Sequence, residues 1–316
     1  MHAISIGTEH LPQEIISRLD EEFQFLHGEG IDVEMSRQCR GNFTFFDCSV
    51  RSASPEAEAR FRHYLASAIS DVIVDRWEEH LIRRIIRGQY YYFSRDEQER
   101  ILAYAGRNLT TDDHGQDRSL QHRLSRKARI LHRLRDYLDQ NRELVVEGFV
   151  HFRLRDYLEE LEDAVDRAVD DFLMEREHKE FIRLLQYFVD AQEPRVAEVH
   201  VLIAPGGSFR LVDADGNSLQ SELLEDFVAE VAESEISHED LLISALITLA
   251  PTRLVLHGPV PPAWEDGVGI VKGVFQERVA QCPACSLCAP AAPAALAPGE
   301  ARGAGSVDNP RGGSLE

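Results

Sequence analysis

RDYLEELEDAVDRAVDDFLMEREHKEFIRLLQYFVD, residues 155–190, is the stretch on which the fold assignment turns. Tyr157, Leu158, Leu161, Val165, Val169, Phe172 and Leu173 recur three or four positions apart, which lines them along one face of an α-helix. Glu159, Glu160, Glu162, Asp163, Asp166, Asp170 and Asp171 fill the positions between. Phe181, Leu184, Leu185 and Phe188 carry the apolar pattern on, with a break expected near Glu177 and His178. A strand has no use for such spacing, because its side chains repeat every two residues. A long acidic helix therefore lies at the centre, and the flanks decide whether the rest is helical or mixed.

Upstream, Val150, Phe152 and Leu154 alternate with His151 and Arg153, which predicts a short extended piece. Residues 120–137 read as a basic helix, and the polar residues 108–117 as a loop. Ser94 followed by Glu97 fits a capping box for a helix through Ala105. Before it, Ser54, Pro55 and Glu56 suit a helix start, and Phe61, Leu65, Ile69, Val72, Ile73, Trp77, Leu81 and Ile85 form one apolar stripe up to Gly88 and the aromatic run 90–93. The first 52 residues read as a small α/β unit: a strand at 2–6, a helix from Pro12 closed by Gly28 and Gly30, and strands at 31–35 and 43–50 joined around Gly41.

Downstream, 196–203 and 208–212 predict a hairpin around 205–207. A short helix is expected at 223–232, and a second one capped by Ser237 with Asp240 runs to Leu249. Residues 253–257 read as a buried strand, 268–275 as a helix and 278–280 as extended. Beyond Cys288 Ala, Pro and Gly dominate, and a disordered tail is expected. The fold class is mixed α+β: an α/β unit at 1–52, long central helices at 53–194, a second α/β unit at 195–288 and a tail at 289–316.

The composition agrees with a globular chain: 43% hydrophobic and 28% charged over 316 residues. The formal net charge of −21 opposes nucleic acid and anionic membranes on average but does not exclude a local basic patch. No apolar run is long enough to span a bilayer as a helix, so no membrane partner is expected. The start carries no signal-peptide pattern. Five cysteines, an odd number with three of them crowded together, suit a reducing cytoplasm better than a disulfide scaffold.

Those three, Cys282, Cys285 and Cys288, form the clearest chemical pattern. Thiolates spaced by two residues can turn back onto one ion, and soft sulfur selects zinc or an iron–sulfur cluster over magnesium or calcium. A structural zinc site wants four ligands; His257, at the end of the strand before the last helix, is the nominated fourth, with His200 and Cys48 behind it. A ferredoxin-like run would place a fourth cysteine before a proline, and Ala292-Pro293 stands there instead. Thiols without metal, or a redox pair of Cys282 and Cys285, remain open.

Arg118, Arg123, Arg126, Lys127, Arg129, Arg133 and Arg135 make residues 118–135 a candidate phosphate-binding surface. The same cations can instead dock on the acidic helix, the more economical use in so acidic a chain. Glu175 with His178, and Glu235 with His238, repeat the Glu-x-x-His spacing of di-iron bundles, a pattern that chance produces readily in a Glu-rich chain. Asp213 and Asp215 are expected to shape a turn with Gly216. Nucleotide-loop, zinc-protease and serine-hydrolase motifs do not occur.

The runs at 151–161 and 164–177, with 181–190, 240–251 and the ending that carries Cys282, Cys285 and Cys288, resemble the YtxC-like family of sporulation-associated proteins. The resemblance spans most of residues 1–288. It implies an intracellular role in endospore-forming bacteria and carries over no enzyme activity or catalytic residue. The expectation is a cytoplasmic structural or interaction protein with a protein partner and a Cys-rich zinc site. A nucleic-acid-binding protein and an enzyme of unknown reaction are the alternatives.

Overall fold

Ile4 and Ile6 alternate into the interior from β1 (Ala3–Thr8), the strand around which the first half is built. The computed structural model describes residues 3–51, 54–110, 119–204, 208–219, 237–283 and 285. It divides the chain into two compact units, Met1–His178 and Lys179–Glu316. In the first, β1 pairs antiparallel with β3 (Phe43–Val50), which pairs with β2 (Val33–Arg40) through a hairpin turned at Gly41. The other edge of β1 takes β4 (Glu143–Val145) in parallel, so the order is β2-β3-β1-β4.

Helix α1 (Pro12–Gly28) lays Ile15, Leu19, Phe23 and Leu26 into the core. Helix α2 (Pro55–Val72) starts at Ser54, whose hydroxyl accepts from the Ala57 N–H, and its Phe61 ring sits 6.1 Å from that of Phe23. A single π turn (Ile73–Trp77) joins α2 to α3 (Glu78–Gln89). The stripe explains the turn. Phe61, Leu65, Ile69, Ile73, Trp77 and Leu81 are all buried and all four apart. A four-residue step overshoots an α-helical turn by about 40°, so the stripe would rotate off the core; the wider π turn brings it back. Helix α4 (Arg95–Asn108) opens with the expected capping box, Ser94 with Glu97. Helices α5 (Ser119–Gln140), α6 (Val146–Arg153) and α7 (Arg155–Ala191) follow.

Three expectations change. Residues 150–154 are not extended but belong to α6 and its C-cap: Val146, Phe149 and Val150 are buried at helical spacing, and Phe152 is 64% exposed. The alternation there was a coincidence of composition. No break occurs near His178, since α7 is assigned as one helix from Arg155 to Ala191. The first 52 residues are not a core of their own, because β1, β3 and α1 share one hydrophobic cluster with α2 to α6 and the start of α7.

In the second unit β5 (Glu198–Ile203) and β6 (Phe209–Val212) form the expected hairpin. Strand β7 (Arg253–His257) lies parallel to β5, and β8 (Val279–Gln281) parallel to β7, giving the order β6-β5-β7-β8. Parallel neighbours need a crossover, and α9 (Glu265–Phe275) supplies it between β7 and β8. Helix α8 (His238–Leu249) begins at the Ser237 cap. Val199, Val201, Leu246, Leu254, Leu256 and Val271 are central to the core. The turn at 205–207, the helix at 223–232 and the tail at 289–316 lie outside the described residues.

Helix α5 buries one of its cations. The Arg126 side chain is 4% exposed, with Nε 3.1 Å from Glu78 and Nη1 donating to the Leu109 carbonyl at 3.0 Å. Glu78 also accepts from the Tyr157 hydroxyl at 3.0 Å; burial pushes the Glu78 carboxyl up, and Arg126 opposes that shift. Glu78→Ala should therefore strand a buried guanidinium and lower the unfolding free energy by about 3–5 kcal/mol. Arg129→Ala, which removes only an exposed pair with Glu160, should cost about 1 kcal/mol or less. Urea denaturation of the two variants checks the contrast, and equal losses would contradict it.

Candidate metal centre

Strand pleat and register bring three of the nominated residues, His257, Cys282 and Cys285, together. Side chains alternate between faces along a strand. In β5 and β7 the buried residues Val199, Val201, Leu254 and Leu256 point into the core. Glu198, His200, Arg253, Val255 and His257 then share the opposite face, since Glu198 is registered with Arg253, His200 with Val255, and Leu202 with His257. On the other side of β7, Leu256 is registered with Gln281. The ladder continues one residue beyond β8, because Cys282 N–H donates to the Leu256 carbonyl at 2.9 Å. That bond holds Cys282 beside His257.

One ligand atom from each of His257, Cys282 and Cys285 lies within 4.8 Å of the others, the one such group among the described residues. His257 Nδ1 and Cys285 Sγ are 3.4 Å apart. His257 is 6% exposed, Cys282 is half-buried and Cys285 exposed, so the group reaches from the sheet to the surface. Gly258, at φ +77°, turns the chain away immediately after the imidazole. Cys288 lies outside the described residues. Cys48 is not part of the group: it is buried in β3 of the first unit, where burial pushes its thiol up to about 12.

His200 has a different place from the one considered for it. Its Nδ1 lies 2.7 Å from His257 Nε2, and its own Nε2 lies 3.2 Å from Glu198 Oε1, which is 3.4 Å on its other oxygen from Arg253. A proton on His200 Nε2 faces the carboxylate, which leaves Nδ1 as the acceptor. The 2.7 Å contact then needs a proton on His257 Nε2, and His257 Nδ1 presents its lone pair toward the sulfurs. Burial, then His200, holds the His257 imidazole below its ordinary range, which favours the neutral ring a metal requires. Glu198 and His200 were missed as a supporting pair. The signal available was the period-two spacing of Glu198-x-His200 and Val255-x-His257 on two predicted strands.

The other candidates are used elsewhere. Arg123 pairs with Asp75, Lys127 with Asp71, Arg129 with Glu160 and Arg133 with Asp156, all within the first unit. Arg118 lies outside the described residues. Glu175 accepts from Arg100 and Tyr104 rather than joining His178, which is exposed; Glu235 lies outside the described residues. Asp213 shapes its turn, accepting from the Asp215 and Asn217 backbone N–H groups at 2.9 and 2.8 Å.

Comparison with known proteins adds two findings. Residues 63–280 match the model of the YtxC-like family. The chain is also 29% identical over 207 residues to the uncharacterized protein YtxC of Bacillus subtilis (strain 168), covering 65% of this chain and 71% of that one. No solved structure matches the chain. The family match includes His200 and His257 and ends two residues before Cys282.

The proton positions derived above can be observed directly. Two-bond 1H–15N correlation spectra of the metal-free chain, at mildly alkaline pH, should show His200 and His257 both as Nε2–H tautomers. A protonated Nδ1 on His257 would contradict the relay.

Proposed function

This chain belongs to the YtxC-like family, and we propose that it is a cytoplasmic structural or interaction protein whose second unit is clipped by one zinc ion held on His257, Cys282, Cys285 and Cys288. The observation that carries this reading is the convergence of the first three ligand atoms within 4.8 Å at the open end of the β7–β8 ladder. Zn–S bonds of about 2.3 Å and Zn–N bonds of about 2.0–2.1 Å put the corners of a tetrahedron about 3.5–3.8 Å apart, which the 3.4 Å contact between His257 Nδ1 and Cys285 Sγ fits closely. An iron–sulfur cluster spreads its ligands over several irons, so a contact this short favours a single ion. Cys288 follows Cys285 at the same spacing as Cys285 follows Cys282 and completes the set of four. A set of three thiolates and one imidazole is closed, leaves no position for substrate, and is structural rather than catalytic. A reducing compartment keeps such thiols available.

A protein partner suits the surface of the second unit. Phe181, Leu184, Tyr187 and Phe188 of α7, three or four positions apart or adjacent along one helix, are each at least 50% exposed. The sporulation role rests on the family resemblance alone. Nucleic-acid binding through α5 has little left to support it, since Arg126 is buried and its neighbours already hold carboxylates.

Protein purified without added metal should contain about one equivalent of zinc, and Cys282→Ser or Cys285→Ser should lose it, as read by elemental analysis. Less than about a tenth of an equivalent of any metal, with no stabilisation by added zinc, would sink the site. Glu198→Gln, which leaves all four ligands in place, should weaken zinc binding about tenfold by releasing the imidazole orientation. Deleting the gene in a spore-forming host should lower the count of heat-resistant spores, and an unchanged count would remove that role.

A further inference from the structure

Strand β8 has little packing of its own. It is three residues long, forms one edge of its sheet, and holds no fully buried side chain: Val279 and Ala280 are half-buried and Gln281 is exposed. Its neighbour β7 buries four residues of five. Beyond β8 the ladder adds one rung, from the Cys282 N–H to the Leu256 carbonyl. An ion shared by Cys282 and His257 ties that end of the ladder where apolar burial does not. Loss of the ion therefore bears on β8 before it bears on the core of the unit.

The same cysteines supply a route to that loss. Cys285 is exposed, Cys282 is half-buried and His257 is buried, so a small oxidant meets the Cys285 sulfur first. Pro283 and Ala284 separate the two cysteines, the Cys-x-x-Cys spacing of dithiol redox pairs. Their sulfurs are at most 4.8 Å apart, and a disulfide needs about 2.05 Å, so the pair closes with a movement of about 3 Å or less. Cys285, at the surface, has room to make it. A thiolate is the metal ligand and the nucleophile alike, and a sulfur committed to a disulfide is no longer a thiolate. Ion and disulfide thus exclude one another at these two residues.

We infer that the cluster is a peroxide-sensitive clasp: a hydroperoxide joins Cys282 to Cys285, the zinc leaves, and the end of β8 is released from β7. The inference rests on the zinc reading above. With hydrogen peroxide, the Cys285 thiolate attacks one oxygen, the O–O bond breaks, and hydroxide leaves behind a sulfenic acid. The Cys282 thiolate then attacks that sulfur, the S–S bond forms, and a second hydroxide leaves. Two thiolates have lost two electrons, one peroxide has become two hydroxides, and the zinc departs as the dication. Treating the zinc-bearing full chain with hydrogen peroxide tests this. About one equivalent of zinc should pass to a chromogenic chelator as two thiols disappear, and peptide mapping should find Cys282 bonded to Cys285. Dithiothreitol with added zinc should restore both. The Cys282 amide should exchange its hydrogen at least about tenfold faster after oxidation than before. Zinc retained under peroxide, zinc released without the Cys282–Cys285 bond, or unchanged exchange at Cys282 would each overturn the clasp. Elemental analysis before treatment separates the two failures: a chain without zinc at the outset defeats both readings, whereas a zinc-bearing chain that keeps its metal defeats the clasp alone.

Discussion

The parallel pairing of β7 with β8 is the constraint on which the chemistry of the second unit depends. Parallel strands cannot be joined by a tight turn, so α9 must carry the chain back across the sheet before β8 can begin. Its length sets where β8 enters, and the entry point sets the register of Leu256 against Gln281. From there the Cys282 N–H bond to the Leu256 carbonyl follows as one more rung. A shift of one residue would turn Cys282 to the core face and separate it from His257. Convergence of imidazole and sulfur thus has a cause in backbone geometry, independent of any attraction between the side chains themselves.

In the first unit the deciding interaction is the buried pair of Arg126 and Glu78. A guanidinium that is 4% exposed must be matched by acceptors, and it has a carboxylate, a backbone carbonyl and a more distant second carboxylate on Glu160. Arg123, Arg129 and Arg133 take pairs nearer the surface, each worth about 1 kcal/mol or less. Most of the cations described between residues 119 and 135 are therefore already paired with carboxylates of the first unit. A net charge of −21 raises the free energy of placing a further polyanion against the chain and points the same way.

What could be read beforehand was whatever is written in short-range pattern. The caps at Ser54, Ser94 and Ser237, the hairpin at Gly41 and the buried strand at 253–257 each depend on a few adjacent residues, and each is present. The short strand β4 was missed because three residues carry no period, and its partner β1 lies more than a hundred residues away. Helix α6 was misread because Val150, Phe152 and Leu154 imitate strand alternation, whereas burial follows Val146, Phe149 and Val150. The stripe from Phe61 to Leu81 was recognised, but its unbroken four-residue step also implied a π turn and was not used that way. The nomination of His257 hung on the strands at 253–257 and 278–280 being neighbours, which they are; the Glu198–His200 support needed the register of β5 on β7, which pattern alone does not set.

The two units show the same device. In each, a carboxylate from one element anchors at a strand end and orients groups it does not itself adjoin in sequence: Glu198 through His200 to His257, and Glu147 across the corner between β1 and α1. In the second unit the chain of contacts ends on a lone pair facing sulfur, the arrangement that a soft cation satisfies. In the first, the second Glu147 oxygen and the Trp77 indole N–H are both buried without a hydrogen-bond partner. Burying either group without a partner works against folding.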